Sequence, residues 1–286
     1  MLKNRQRLIP WYFALPGLIW LIIFFGIPLI NQANVSLMTG DPEAGYEMTW
    51  AFSNYTDAIK EYWPQIERSL VYAFAATVID LVIAFPLAYF IAYKAGKWKG
   101  FLLLMVVLPF FMSQVLRTVS WQLLLADNGW IADQLRAIGL LSDDGRILAT
   151  STAVIGGIAY NYLPFMVLPL YASLERLDRR LIEAATDLYA SRATAFRKVT
   201  VPLATPGLFA GSLLVFIPAT GDFVNAALLG SSKQYMVGNV IQTNFLTILD
   251  YPTAAALSFL LIGIILLGIA LYSALLGTKT LTEAAG

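Results

Sequence analysis

Apolar residues run through this chain in long blocks, not in strand-like alternation. Six blocks, near residues 9–30, 69–93, 100–125, 148–171, 203–229 and 253–276, each approach the roughly 20 mostly apolar residues that a helix needs to cross about 30 Å of hydrocarbon. The pattern predicts an all-α, polytopic membrane protein with six transmembrane helices, a single domain over 1–286 without repeats or low-complexity tracts. No inverted symmetry relates its halves, which sets it apart from the commonest secondary-transporter folds. Lys3, Arg5 and Arg7 precede an apolar run from Trp11 to Ile30 that is too long for a signal-peptide core, so the first block reads as a retained anchor helix. Pro86 and Pro109 fall inside apolar blocks and predict kinks.

Composition strengthens the membrane reading. Of 286 residues, 58% are hydrophobic and 13% charged, with a mean hydropathy of +0.68; soluble domains carry about a quarter charged residues. The absence of cysteine and histidine excludes thiol chemistry, cysteine- or histidine-held zinc and a Ser-His-Asp triad. A net charge of +1 offers no nucleic-acid footprint.

The placement of charge sets the orientation. Lys3, Arg5, Arg7, Lys94, Lys97, Lys99, six basic residues within 172–202, and Lys279 fall on one side, thirteen in all. The other side holds five basic residues and eleven acids, among them Asp41, Glu43, Glu61, Asp143 and Asp250. Basic loops stay in the cytoplasm, so both termini are expected there. The first outer loop is rich in aromatics (Tyr46, Trp50, Tyr55, Tyr62, Trp63), as suits headgroup anchoring or docking of an external protein.

The cytoplasmic loop 172–202 places Leu174, Leu177, Leu181, Ala184, Ala185 and Leu188 at helical spacing, which predicts a short amphipathic helix along the membrane surface. Within it Glu183-Ala184-Ala185 is followed after three residues by Tyr189, after nine more by Val199, and then by Val201-Pro202. This spacing resembles the EAA loop of the inner-membrane permeases of binding-protein-dependent ABC importers. Val199 and Val201 stand for the family's isoleucine and leucine; Tyr189 takes the place of a glycine that allows a turn, which leaves that turn's geometry open. LPFFMSQVLRTVSW at 108–121, YNYLPFMVLPLYASLERLD at 160–178, GDFVNAALLG at 221–230 and GNVIQTNFL at 238–246 look like the spermidine/putrescine-type permeases.

The resemblance implies the type I importer permease fold in a bacterial cytoplasmic membrane. It makes Glu183, Ala184, Ala185, Asp187 and Tyr189 the coupling region seated in an ATPase groove. It also implies a second related permease subunit, two cytoplasmic ATPase subunits and an extracytoplasmic substrate-binding protein as partners, besides membrane lipid. ATP and Mg²⁺ belong to the partner, because this chain has no G-x-x-x-x-G-K-[ST] loop and binds no cofactor of its own. The chain is expected to be non-catalytic. Related permeases carry polyamines, iron complexes, thiamine or opines, so the substrate stays open among these.

Three ionisable residues lie within the blocks: Asp80, Arg117 and Asp222. Each costs about 2.5–3.5 kcal/mol on insertion scales and is a functional candidate on that ground. Counting residues puts Asp80 near mid-depth, where it would attract a cation with Tyr160 and Asn161 completing the surface. Arg117 and Asp222 fall toward the outer leaflet and are expected to form a structural or gating ion pair. Asn225, three residues after Asp222, extends the polar surface or bonds a neighbouring helix. Trp121, one turn beyond Arg117, reads as an interfacial anchor or a substrate platform. An ion-coupled secondary transporter would explain the buried acids but not the loop; an intramembrane enzyme has no converging acid pair to support it.

Overall fold

A computed structural model describes residues 13–142 and 144–276. Lys3, Arg5, Arg7, Asp143 and Lys279, and the first residues of the expected first span, lie outside these. The described residues gather in two compact units, 13–63 with 241–263 and 64–240 with 264–276.

In the first unit, α1 (Phe13–Val35) is a continuous apolar helix with one π-helical turn at Ile22–Gly26, and none of its apolar span is buried by the rest of the chain. An apolar surface of this extent belongs against lipid or another subunit. It leads into a hairpin, β1 (Met38–Asp41) paired antiparallel with β2 (Gly45–Met48), which corrects the all-α expectation in this small respect. The turn is possible because Gly40 and Gly45 adopt φ of 141° and 91° and Asp41 Oδ1 accepts from the amides of Glu43 and Ala44. Tyr46 on β2 donates to the Leu249 carbonyl at 2.5 Å and meets the ring of Tyr251 edge-on.

α2 (Ser53–Tyr93) begins well before the expected residue 69 and runs for 41 residues, about 60 Å at 1.5 Å per residue. That is twice the hydrocarbon thickness, so its polar first third extends the span. Pro86 lies inside this unbroken helix. Pro109 does break its helix: α3 (Lys99–Val107) passes through a 3₁₀ turn at Leu108–Phe111, Met112 is extended, and the chain resumes as α4 (Gln114–Leu125). The segments on either side of this break make an angle of 93°, so the single straight span expected over 100–125 is a broken one. A short α5 (Trp130–Ala137) follows, then α6 (Ser151–Glu175), which is continuous despite Pro164 and Pro169.

α7 (Arg179–Asp187) and α8 (Arg192–Leu203) make up the loop region, and α8 meets α9 (Thr205–Thr220) at 61°. The expected helix 203–229 is also interrupted: α9 ends at Thr220 and α10 (Val224–Leu229) starts after a gap containing Gly221, Asp222 and Phe223. α11 (Val237–Thr243) and α12 (Tyr251–Leu276) complete the order. Among the described residues, four helices are long and apolar enough to cross a membrane, or up to six if each bent pair counts as one span.

The second unit is centred on α6 against α9. A Cβ on Gly207 would lie 2.6 Å from the Pro169 carbonyl oxygen, and one on Gly211 2.8 Å from Met166 Sδ. The small-xxx-small spacing of these glycines is what lets two apolar helices touch along their backbones where lipid supplies no hydrophobic drive. Buried Tyr72, Ala73 and Ala76 of α2 join one apolar cluster with α6, α9 and α10; Ala84, Ala88 and Ala92 join a second with Met166, Leu170 and Val215.

Candidate functional site

Two features carry chemistry: a buried polar cluster around the two helix breaks, and the exposed loop helix α7. The cluster begins at the 109–113 break. Arg117, one turn into α4, turns its guanidinium back so that Nη1 donates to the Pro109 carbonyl at 2.6 Å, adding a second donor to the Met112 amide that this carbonyl accepts at 3.2 Å. Its Nε donates to Asn161 Oδ1 on α6. Asn161 Nδ2 donates to Asn225 Oδ1 at 2.9 Å, and Asn225 Nδ2 donates to Asp222 Oδ2 at 2.8 Å. Arg117 and Asp222 are therefore joined through two amide side chains, and among the described residues they form no direct ion pair. The expected pair fails because Asp222 is not on a helix continuing past Thr220; it sits in the gap, where Oδ1 accepts the Asn225 amide at 2.8 Å and satisfies a first-turn donor of α10.

Asp222 Oδ2 is further held by Gln114 Nε2 and the Tyr162 hydroxyl, each at 3.2 Å. Thr118 connects Asn161 and Asn225 at 3.2 and 3.3 Å. Gln114, Thr118 and Tyr162 are the members that sequence reasoning missed. Their signal is a polar side chain inside an apolar block, and Gln114 is moreover one turn before Arg117. Gly157 completes the fit: a Cβ there would overlap Leu229 and press on Asn225 Oδ1. Tyr160 and Trp121 join from the side, their rings edge-to-face at 5.2 Å, with the Arg117 guanidinium carbon 6.0 Å from the Tyr160 ring centre. Trp121 is thus partly buried against Tyr160.

Asp80 stands apart. It is 0% exposed and, among the described residues, neither carboxylate oxygen has a hydrogen-bond partner, Tyr160 and Asn161 included. On its helix face it interrupts a buried row formed by Ala73, Ala76, Ala84 and Ala88, at the junction between the two apolar clusters. Two buried aspartates in one unit thus differ completely: Asp222 accepts four hydrogen bonds and Asp80 none.

In the loop, Asp178 caps α7 by accepting from the Arg180 amide. The apolar face predicted along 174–188 divides in two. Leu174 is buried and Leu177 half-buried, while Leu181 is 48% and Leu188 82% exposed. Glu183, Ala184 and Asp187 are exposed and Ala185 half-buried, so the triplet lies on the free part. Tyr189 preserves the turn its side chain would be expected to resist. It takes φ of 62°, its amide donates to the Thr186 carbonyl at 3.0 Å, and the Ala190 amide reaches the Ala185 carbonyl at 3.1 Å. These two bonds are the Schellman closure that glycine usually makes.

A non-glycine residue in the left-handed region costs about 1–2 kcal/mol, and a side chain that is 99% exposed recovers none of it within this chain. Tyr189→Gly should therefore slow hydrogen exchange of the 189 and 190 amides about fivefold, the equivalent of about 1 kcal/mol. Faster exchange in the variant would show that the turn is not strained.

Residues 8–277 match the family model described as binding-protein-dependent transport system inner membrane component. The chain is 37% identical over 243 residues to the spermidine/putrescine transport system permease protein PotB of Escherichia coli, covering 85% of this chain and 88% of that one. It is 40% identical over 240 residues to PotB of Haemophilus influenzae, covering 84% of each. Its fold is similar, with a TM-score of 0.75 and 19% identity over 96% of this chain and 97% of the other, to a chain in the crystal structure of a bacterial ABC transporter that imports the acidic polysaccharide alginate. Long apolar helices, the EAA spacing on a free loop helix and a match over nearly its whole length lead to one conclusion: the chain belongs to the family of inner-membrane permease components of binding-protein-dependent ABC transporters, multi-pass and non-catalytic.

Proposed function

We propose that this permease moves polyamines of the spermidine and putrescine class into the cell. The observation that carries the reading is the identity of 37–40% to permeases of that name over more than four-fifths of the chain. Six spans are counted by taking each bent pair as one, with both termini in the cytoplasm. A second, related permease completes the pathway, and a substrate-binding protein delivers the polyamine from outside. Two ATPase subunits supply the energy, with ATP and Mg²⁺ held on them. α7 is their seat: the exposed Glu183, Ala184 and Leu188 give a helix face with a carboxylate, a small residue for close approach and an apolar anchor. Asp80 is the carboxylate that meets the cation on its path, and the cluster of Arg117, Asn161, Asn225 and Asp222, flanked by Tyr160 and Trp121, is the fixed frame beside it.

The test is ATP hydrolysis by the assembled complex in nanodiscs with its binding protein. Spermidine or putrescine should stimulate it several-fold, and Glu183→Arg should abolish both the stimulation and co-purification of the ATPase. Stimulation by a different small solute alone would overturn the substrate class; undiminished co-purification with Glu183→Arg would overturn the seat.

A further inference from the structure

The loop that carries α7 is fastened at both ends to the same helix. At the incoming end, the Tyr93 hydroxyl near the C-terminus of α2 donates to the Leu174 carbonyl at 3.0 Å. Beside it, Lys99 Nζ at the start of α3 reaches both carboxylate oxygens of Glu175, the last residue of α6, at 2.7 and 2.8 Å. At the outgoing end, the Phe196 ring of α8 packs edge-on against Phe85 at 5.5 Å and Tyr89 at 5.8 Å, both on α2. Tyr89 in turn lies 4.8 Å from Tyr93. One aromatic row on the last turns of α2 thus holds residue 174 on one side of α7 and residue 196 on the other, while Lys99, six residues beyond the end of α2, holds residue 175. Asp80 is on the same helix, five residues before Phe85. Pro86, directly after Phe85 and before Tyr89, lacks the amide that would bond the Val82 carbonyl, which gives this part of the helix a place to bend.

We propose that the C-terminal end of α2 is the lever through which displacement of α7 reaches Asp80, and that Lys99, Glu175 and Phe196 are the positioning residues that clamp this lever to the loop. The inference rests on the reading of α7 as the ATPase seat. A helix pushed from outside moves its surroundings only where the contacts on either side of it are stiff; without them the connecting segments 176–178 and 188–191 take up the motion. A bidentate ion pair and an edge-on ring seat are directional contacts of that kind. The Lys99 and Glu175 side chains are 25% and 41% exposed, so the pair contributes little to the stability of the fold and its loss need not unfold the chain. What it supplies is the connection.

The experiment uses the whole complex in vesicles with its binding protein, radiolabelled spermidine as the transported probe, and three readings: ATPase co-purification, ATP hydrolysis, and uptake per ATP. Lys99→Glu and Glu175→Lys should each leave co-purification intact and hydrolysis within about twofold of the parent, while uptake per ATP falls about fivefold or more. The exchanged pair, Lys99→Glu with Glu175→Lys, should recover most of that loss, which a merely structural role at either position would not do. Phe196→Ala should uncouple in the same way with no change of charge, and Phe196→Tyr should not. Normal uptake per ATP in the single variants, or an exchanged pair no better than either single, overturns the clamp. An ATPase that fails to co-purify with the unmodified chain overturns the seat itself and the clamp with it.

Discussion

Asp80→Asn is expected to make the protein more stable and less active at once. Asp80 has no exposed surface and, among the described residues, no hydrogen-bond partner for either oxygen, in a row where Ala76 and Ala84 are also buried. A buried carboxylate without a compensating donor or cation is a net cost to the fold, because the desolvation is not repaid. Removing the charge with an isosteric amide should raise the melting temperature by about 2–4 °C, the shift that about 1 kcal/mol produces in a chain of this size. Polyamine uptake should fall about tenfold or more, the loss of about 1.4 kcal/mol of attraction at one point on the path. A residue retained at a cost to stability is the usual sign of function at that position. A variant that is less stable than the parent, or one that transports normally, would make Asp80 an ordinary packing residue. Asp80→Leu sharpens the test, since it fills the same apolar junction with no polar atom and should gain stability further while transporting no better.

The helices' existence and approximate positions were legible in the sequence, because twenty-residue apolar blocks have one physical use. So was the short helix at 179–187, although the apolar face read along 174–188 divides into a buried and an exposed part. The breaks were harder to place. Pro109 and Pro86 present the same local signal, yet only the first ends a helix, and nothing in the flanking residues distinguishes the two. The gap at 221–223 has its own marker in Gly221-Asp222, but the apolar run across 203–229 hides it, and counting depth along a continuous helix then misplaces Asp222. The missing ion pair follows from that misplacement. The hairpin at 38–48 was legible in principle from its glycines and aspartate, and was overlooked because the surrounding composition speaks for helices. The unpartnered state of Asp80 is a property of packing and has no signature in one dimension.

Asp222→Ala should give the opposite result from Asp80→Asn. Four donors converge on this carboxylate: the Asn225 amide and side chain, Gln114 and Tyr162. They come from α4, α6 and α10, so a single acceptor ties three helices across two breaks. Truncation leaves buried donors without a partner, and it also removes the negative end of a relay whose positive end is Arg117. Losing one partner of a buried charge system costs about 3–5 kcal/mol. The detergent-solubilised chain should therefore melt about 10 °C lower or fail to accumulate. Asp222→Asn, which keeps one acceptor for the Asn225 amide, should fall between. The relay makes a sharper demand: if Arg117 and Asp222 communicate through Asn161 and Asn225, the variant carrying both Arg117→Met and Asp222→Ala should lose less than the sum of the two single losses. A coupling of about 1 kcal/mol or more is expected although the two side chains do not touch. Additive losses would mean that Asn161 and Asn225 bond each end separately. In that case the cluster would be two independent helix caps and would not act as one frame.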